Sequence, residues 1–398
     1  MIFDPNAAAA PDSGIFGLPH THDDAQVILV PVPFDATTSY QSGAALGPAA
    51  ILRASKQVDL LDHHFGAVHE QGVYLAPEPE TLVKLFSRAR VLAEPIIAKG
   101  GADQVDTSAL AEIARVGADV NDLTYGAFAA LLYNGKSPGL IGGDHSTPFG
   151  AIRACADLAE ALDPRGGLGV LQLDAHMDLR PAYEGFTWSH ASIIYNILTQ
   201  VPEVHKVVQI GIRDYSEGER DAAKGFGSRL LTCFDADWQR ELLDGARFTA
   251  LARRAIAALP RHVYVTFDID ALDPSLCPHT GTPVPGGLSF DQAAIILKLL
   301  AESGRVVLGF DLVEVAPGRC EDEPELDANV GARLLYKLCG LAAQRRLARA
   351  RLDALTAPSG RNGSPARPRR RPTAARPAPR RAAPRASSAR SRAPRRRK

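Results

Sequence analysis

Asp174, His176 and Asp178 put three potential metal ligands within the five residues DAHMD. On extended backbone an i, i+2, i+4 spacing sends all three side chains to one face. Asp268 and Asp270, in DIDALDP at 268–274, repeat the i, i+2 spacing, and His145, in GGDHS at 142–146, adds an imidazole after the pliable Gly142–Gly143 pair. Four carboxylates and two imidazoles make a hard, oxygen-rich set that suits divalent manganese better than a thiolate-seeking ion. Six ligands also exceed the needs of one catalytic ion with open positions, so two adjacent Mn2+ ions sharing carboxylates fit them better. Four ionised carboxylates against two dications and one hydroxide sum to about −1, a centre that attracts a cationic substrate. Two such ions lower the pKa of a water held between them toward neutrality and set it beside an electrophilic carbon.

Taken singly, each of these residues has an ordinary explanation. An Asp after a strand caps a helix or opens a turn, and a lone His is usually a satisfied polar group. The case rests on the elements that bring them together. Short, unalternating β-branched runs at Val27–Val32, Leu140–Ile141, Gly169–Leu173, Lys206–Ile210, Val263–Phe267 and Val306–Phe310 read as parallel strands buried on both faces. Between them, helical patterns fall at Pro48–Asp62, Thr107–Leu132, Ala151–Leu162, Ala191–Leu198, Arg247–Ala258, Phe290–Ser303 and Asp327–Arg345. This alternation predicts an α/β fold, a three-layer α/β/α sandwich around a doubly wound, mainly parallel sheet. Polar clusters follow directly on four of the runs: GGDHS, DAHMD, DIDALDP and DLVEV at 311–315. Ligands of open parallel sheets bind beyond the carboxyl ends of the strands, so the four loops imply one site.

Composition sets the surroundings. Of 398 residues, 45% are hydrophobic, enough to bury a large core. The zero formal net charge hides a segregation: residues 354–398 carry fourteen Arg, one Lys and no acid, leaving the rest of the chain with 30 basic against 45 acidic residues. We expect an N-terminal extension over 1–25, a catalytic domain over 26–353 and an Arg/Ala/Pro-rich basic tail over 354–398, disordered because it repels itself and has no core. Five scattered cysteines without Cys-x-x-Cys spacing fit a reducing compartment. No cationic start leads into an apolar stretch and no apolar run has membrane-spanning length, so the expected location is the cytoplasm, with no membrane partner.

GGDHS, DAHMD and TFDIDALDPSLCPHTGTPVPGG resemble the three signature regions of the ureohydrolase (arginase/agmatinase) superfamily, and DATTSYQSGAALGPAAI at 35–51 resembles an agmatinase opening. The likeness extends from about Val27 to Cys339 and leaves out the tail. It implies that His145, Asp174, Asp178 and Asp268 surround one manganese and that Asp174, His176, Asp178, Asp268 and Asp270 contribute to the other. It further implies that His190, in TWSHAS, is a proton-shuttling histidine and that Glu314, in DLVEV, pairs with a guanidinium. Asp178 then relays a proton to the departing amine. The implied reaction is hydrolysis of a guanidino C–N bond, agmatine to putrescine and urea, by a homo-oligomer, trimer or hexamer.

Guanidinobutyrate or another guanidino or formimino acid is the alternative substrate, favoured if Arg180 points inward. The loop from Asp178 to His190 lacks the Asn- and Ser-containing pattern by which arginases grip an amino-acid head group. Its Tyr183, Phe186 and Trp188 are expected to line the path of an aliphatic tail. Met177, His279 and Val284 depart from the family pattern near the site. A one-zinc deacetylase-like amidohydrolase would not need the full ligand set. From another class, the chain reads as a nucleic-acid-associated protein with an inactive ureohydrolase-like body. His20, His22, His63 and His64 read as exposed polar groups, Asp144 as a hydrogen-bond acceptor behind the ligands, and Asp273 as the same or a turn initiator before Pro274. Truncation at Ala357 should leave catalysis intact and abolish salt-sensitive binding to polyanions, measured by turnover and by retention on heparin across a salt gradient.

Overall fold

Parallel strands without alternation need cover on both faces, and the chain supplies it. The computed structural model describes residues 3–318 and 325–356, with side chains to residue 344. Its strands are β1 (Val27–Val32), β2 (Val73–Leu75), β3 (Ser137–Gly142), β4 (Leu168–Leu173), β5 (Val204–Ile212), β6 (Leu230–Phe234), β7 (His262–Asp268) and β8 (Val306–Val313). They form one sheet in the order β2-β1-β3-β8-β7-β4-β5-β6, every pairing parallel. The expected mainly parallel sheet is thus wholly parallel. Successive residues of one strand enter opposite cores: Leu29, Leu171 and Val265 on one face, Ile28, Val170 and Tyr264 on the other. That is the doubly wound sandwich the runs implied.

The helices are α1 (Gly47–Ala54), α2 (Glu80–Ala98), α3 (Thr107–Tyr133), α4 (Phe149–Leu162), α5 (Ile193–Gln200), α6 (Glu217–Phe226), α7 (Asp235–Leu243), α8 (Phe248–Ala257), α9 (Phe290–Glu302) and α10 (Leu326–Thr356). Helices α2 to α5 cover one face and α1, α8, α9 and α10 the other. The sequence reading missed α2, α6 and α7 and the strands β2 and β6. It also ran the first helix to Asp62, whereas α1 stops at Ala54 and gives way to a single tight turn, Ser55–Gln57.

Ahead of β1, Ile15, Phe16 and Leu18 are buried, with Phe16 edge-on to Tyr336 at 4.8 Å and Lys56 Nζ donating to the Gly14 carbonyl at 2.6 Å. Residues 1–354 make one compact unit. The basic tail beyond Thr356 lies outside the described residues, and no helix among them is long and apolar enough to cross a membrane.

The four strands whose ends carry the polar motifs are central neighbours, β3-β8-β7-β4. Their loops therefore meet over the middle of the sheet, at one edge of the strands' carboxyl ends.

Candidate metal centre

At the end of β3 the chain turns through Gly143, where a Cβ would sit 1.9 Å from the Phe34 carbonyl oxygen, so only glycine fits. The turn delivers His145. The Thr266 hydroxyl donates to Asp311 Oδ1 at 2.9 Å and so must accept the hydrogen of His145 Nε2, 2.8 Å away. That fixes the tautomer and leaves His145 Nδ1 as a lone pair. It lies 2.9 Å from Asp174 Oδ2, 3.0 Å from Asp178 Oδ2 and 3.4 Å from Asp268 Oδ2. Across Asp174, His176 Nδ1 lies 3.0 Å from Asp270 Oδ2 and 3.6 Å from Asp174 Oδ1.

Two groups of converging donor atoms result, His145/Asp174/Asp268 and Asp174/His176/Asp270, with Asp174 common to both. Asp178 joins the first through His145. All six candidate ligands are thus brought together. The donor chemistry fits two divalent ions, since His145 Nδ1 and Asp178 Oδ2 are buried yet have no hydrogen-bond partner. Atoms this close that share no aligned proton are arranged around a point between them, as ligands are.

Backbone and amide groups hold the carboxylates in place. Asp174 accepts from the His176 N–H at 2.6 Å and from Gln172 Nε2 at 2.7 Å, and Gln172 is in turn held by Gln209 Nε2 at 2.7 Å. Asp270 accepts from the Ala175 N–H at 3.0 Å, which ties the β4 loop to the β7 loop. Asp178 has φ 53° and Glu314 φ 62°, left-handed conformations that cost side-chain-bearing residues energy and concentrate at functional positions.

Burial dominates the electrostatics. It raises Asp178 to about 8, with the Asp174 charge adding to the effect, and burial with the charges of Asp270 and Asp174 lifts Asp268 well above the carboxylate range. Against its burial, Asp174 is held below that range by the neighbouring His145 and His176, and against their own burial both rings are driven up by the same carboxylates. Such a cluster demands positive charge, from protons or from dications.

Glu314 is 5% exposed, its Oε1 accepting the His145 N–H at 2.9 Å. Its Oε2 is buried without a partner, and burial followed by the Asp144 charge pushes its carboxyl well up. A Cβ at Gly281 would lie 3.1 Å from that free oxygen, a contribution of the HTGTP stretch that sequence reading did not single out.

A cavity of about 330 Å³ opens beside the candidate ligands, its lining including His176, Asp178, Arg180, Tyr183, His190, Thr282 and Val284. His190 shows part of its ring to this cavity while its Nδ1 is shut away without a partner. Burial, then the rings of His176 and His145, pushes it down to about 4. Of the three aromatic residues expected along the path, only Tyr183 is there. Phe186 is buried against Ala93, Ile96 and Ile113, and Trp188 packs edge-on to Phe149 at 4.8 Å, because both side chains anchor the loop to the helices beneath it.

Met177 is buried in the core and His279 is paired with Asp327 at 2.9 Å, so of the three departures only Val284 touches the cavity. Asp144 accepts from the Ser146 N–H at 2.9 Å and Asp273 from the Ser275 N–H at 2.9 Å, the latter a turn cap. Asp214 and Glu219, also on the wall, were missed. Asp214 follows the end of β5, where the rule used for the other strands applies equally.

The sequence model of the Arginase family matches residues 25–340. N(1)-aminopropylagmatine ureohydrolase of Thermus thermophilus is 32% identical over 82% of this chain and 94% of its own length. Agmatinase of Photorhabdus laumondii is 31% identical over 81% of this chain and 89% of its own length. The structure of proclavaminate amidino hydrolase from Streptomyces clavuligerus superimposes with a TM-score of 0.63 at 25% identity, covering 85% of this chain and all of the other. Because Asp174 belongs to both ligand groups, Asp174→Ala should leave protein that retains neither ion after dialysis against manganese. Asp270→Ala should keep one, a difference that elemental analysis measures directly.

Proposed function

The chain belongs to the arginase family and is a hydrolase of C–N bonds in linear amidines, and on that premise we propose that it hydrolyses agmatine to putrescine and urea with two manganese ions per subunit. The observation that carries this reading is the pair of ligand groups sharing Asp174 at the foot of a cavity whose wall bears Asp178, Asp214 and Glu219 against the single guanidinium of Arg180. When bound, the two ions supply an activated water and polarise the guanidino carbon.

The chain's own groups do the rest. Glu314 offers its free Oε2, already steadied through Oε1, to a planar guanidinium as a charge-assisted acceptor. Asp178, buried beside the candidate ligands and on the cavity wall, is placed to take up a proton and pass it to the departing amine. His190, neutral at any pH well above 4, begins the cycle as a proton acceptor and exchanges with solvent through the cavity. Cytoplasmic residence, assembly as a trimer or hexamer, and polyanion binding by the basic tail belong to the same reading and rest on the resemblance and the composition.

One observation favours a second substrate class: Arg180 does line the cavity, where a guanidino acid such as 4-guanidinobutyrate would present a carboxylate to it. Urea release from a panel of guanidino compounds by manganese-loaded protein separates the readings. Agmatine should give the highest specificity constant, and arginine winning would overturn the exclusion of arginase activity. His190→Asn should leave metal content intact and slow turnover about 10²–10⁴-fold, so turnover and bound metal are measured on one sample.

A further inference from the structure

Arg180 stands two residues beyond Asp178 and is the one guanidinium or ammonium among the described residues that line the cavity. Left unopposed, it would repel a substrate whose far end is an ammonium and hold one ending in a carboxylate. It is opposed. Its Nε lies 3.4 Å from Oε2 of Glu219, a residue only 4% exposed. Glu219 cannot swing away, since Oε1 accepts the Leu179 N–H at 3.3 Å and Oε2 accepts both the N–H and the hydroxyl of Ser216 at 2.9 Å. The Ser216 N–H bond, with the Glu219 N–H donating back to the Ser216 hydroxyl at 3.3 Å, forms the capping box that starts α6, so the carboxylate is locked into a helix end.

Arg180 is fixed from its other side as well. Its backbone N–H donates to the Ala191 carbonyl at 3.1 Å, and its Cζ lies 5.0 Å from the centroid of Tyr183, which is edge-on to His190 at 5.8 Å. Cation and anion are thus paired at the wall, the Arg180 side chain 38% exposed and the Glu219 side chain 4%.

We propose that Glu219 is a specificity-determining residue. Its buried carboxylate masks the charge of Arg180, so the cavity takes the ammonium end of an ω-guanidino amine instead of the carboxylate of an ω-guanidino acid. This rests on the guanidino-hydrolase reading above. Arg180 engages Glu219 through Nε, leaving its terminal amino groups available to a carboxylate once the mask is removed.

Specificity constants for agmatine and 4-guanidinobutyrate, with bound metal, are to be compared in the full-length protein, Glu219→Gln and Glu219→Gln/Arg180→Met. Glutamine drops the charge and keeps one acceptor, for the N–H of either Leu179 or Ser216. The agmatine-to-guanidinobutyrate ratio should fall at least roughly tenfold in Glu219→Gln, mainly through KM, at unchanged metal content. Adding Arg180→Met should bring it back to within about threefold of the starting value.

A starting preference for guanidinobutyrate, an unchanged ratio in Glu219→Gln, or a fall that Arg180→Met does not reverse would each overturn the proposal. If Glu219→Gln does not fold, Arg180→Met alone decides: a masked Arg180 leaves the guanidinobutyrate constant within about threefold, whereas a carboxylate anchor loses far more. If the unaltered protein hydrolyses neither compound, the guanidino-hydrolase reading falls. Calorimetric binding of 1,4-diaminobutane and 4-aminobutyrate to the same proteins then reads the tail preference independently, with the preference for the diamine and its reversal in Glu219→Gln as the expected result.

Discussion

Mutual repulsion among Asp174, Asp178, Asp268 and Asp270 is the constraint around which this molecule is built. Each is at most 4% exposed, and carboxylates that close in a medium of low dielectric cannot all be ionised without cations between them. The fold answers by placing two imidazoles within 3.0 Å of the acids and by aiming backbone N–H groups at the oxygens that face away. What stays unsatisfied are the atoms that converge, His145 Nδ1 and Asp178 Oδ2. A cluster this repulsive gains stability from ions bound in its middle, so metal binding and local folding of the four loops are linked.

Holding such a cluster takes strain. Asp178 and Glu314 both lie in the left-handed region, and each is over-determined by its neighbours. The carbonyl of Asp178 accepts the Tyr195 N–H at 3.0 Å, and the next N–H, of Leu179, is taken by Glu219. Glu314 is held by its own N–H on the Gly143 carbonyl at 2.9 Å and by its Oε1 on the His145 N–H. Glu314 thus couples the end of β8 to the loop after β3, and its remaining oxygen is oriented by the loop that carries His145.

The sheet and the convergence of the six candidate ligands were legible in the sequence because parallel strands and strand-end motifs leave local signals. The runs that became β1, β3, β4, β5, β7 and β8 are continuous and apolar, and three ligands in five residues need no tertiary knowledge to be noticed. What escaped had weaker or non-local signals. Strand β2 has three residues, and β6 is a half-buried edge strand. Helix α6 is polar throughout except for a narrow stripe, although its Ser216-x-x-Glu219 box was there to be read. Which aromatic residues of the 180–188 loop face the cavity depends on α2, α3 and α4 beneath, elements distant in sequence, so Phe186 and Trp188 could not be told from Tyr183. His279 found Asp327 across 48 residues, a pairing that spacing cannot foretell.

One loop carries both halves of the chemistry, and this shapes what the site can select. Asp174, His176, Asp178 and Arg180 fall within seven residues, so one loop, bent at Ala175 and left-handed at Asp178, presents three candidate ligands and then the cation of the cavity wall. Charge at the foot of the cavity acts on the guanidino end of any substrate and cannot distinguish one tail from another. Discrimination has to come from groups farther out, and there the balance is set by Arg180 and the carboxylate locked against it. Because Glu219 also accepts the N–H next to Asp178, the element that tunes the tail is bonded to the backbone that positions a ligand. A change of substrate preference achieved by removing Glu219 altogether would therefore disturb the metal loop. Removing Arg180, which gives the candidate ligands no side-chain bond, would leave it in place.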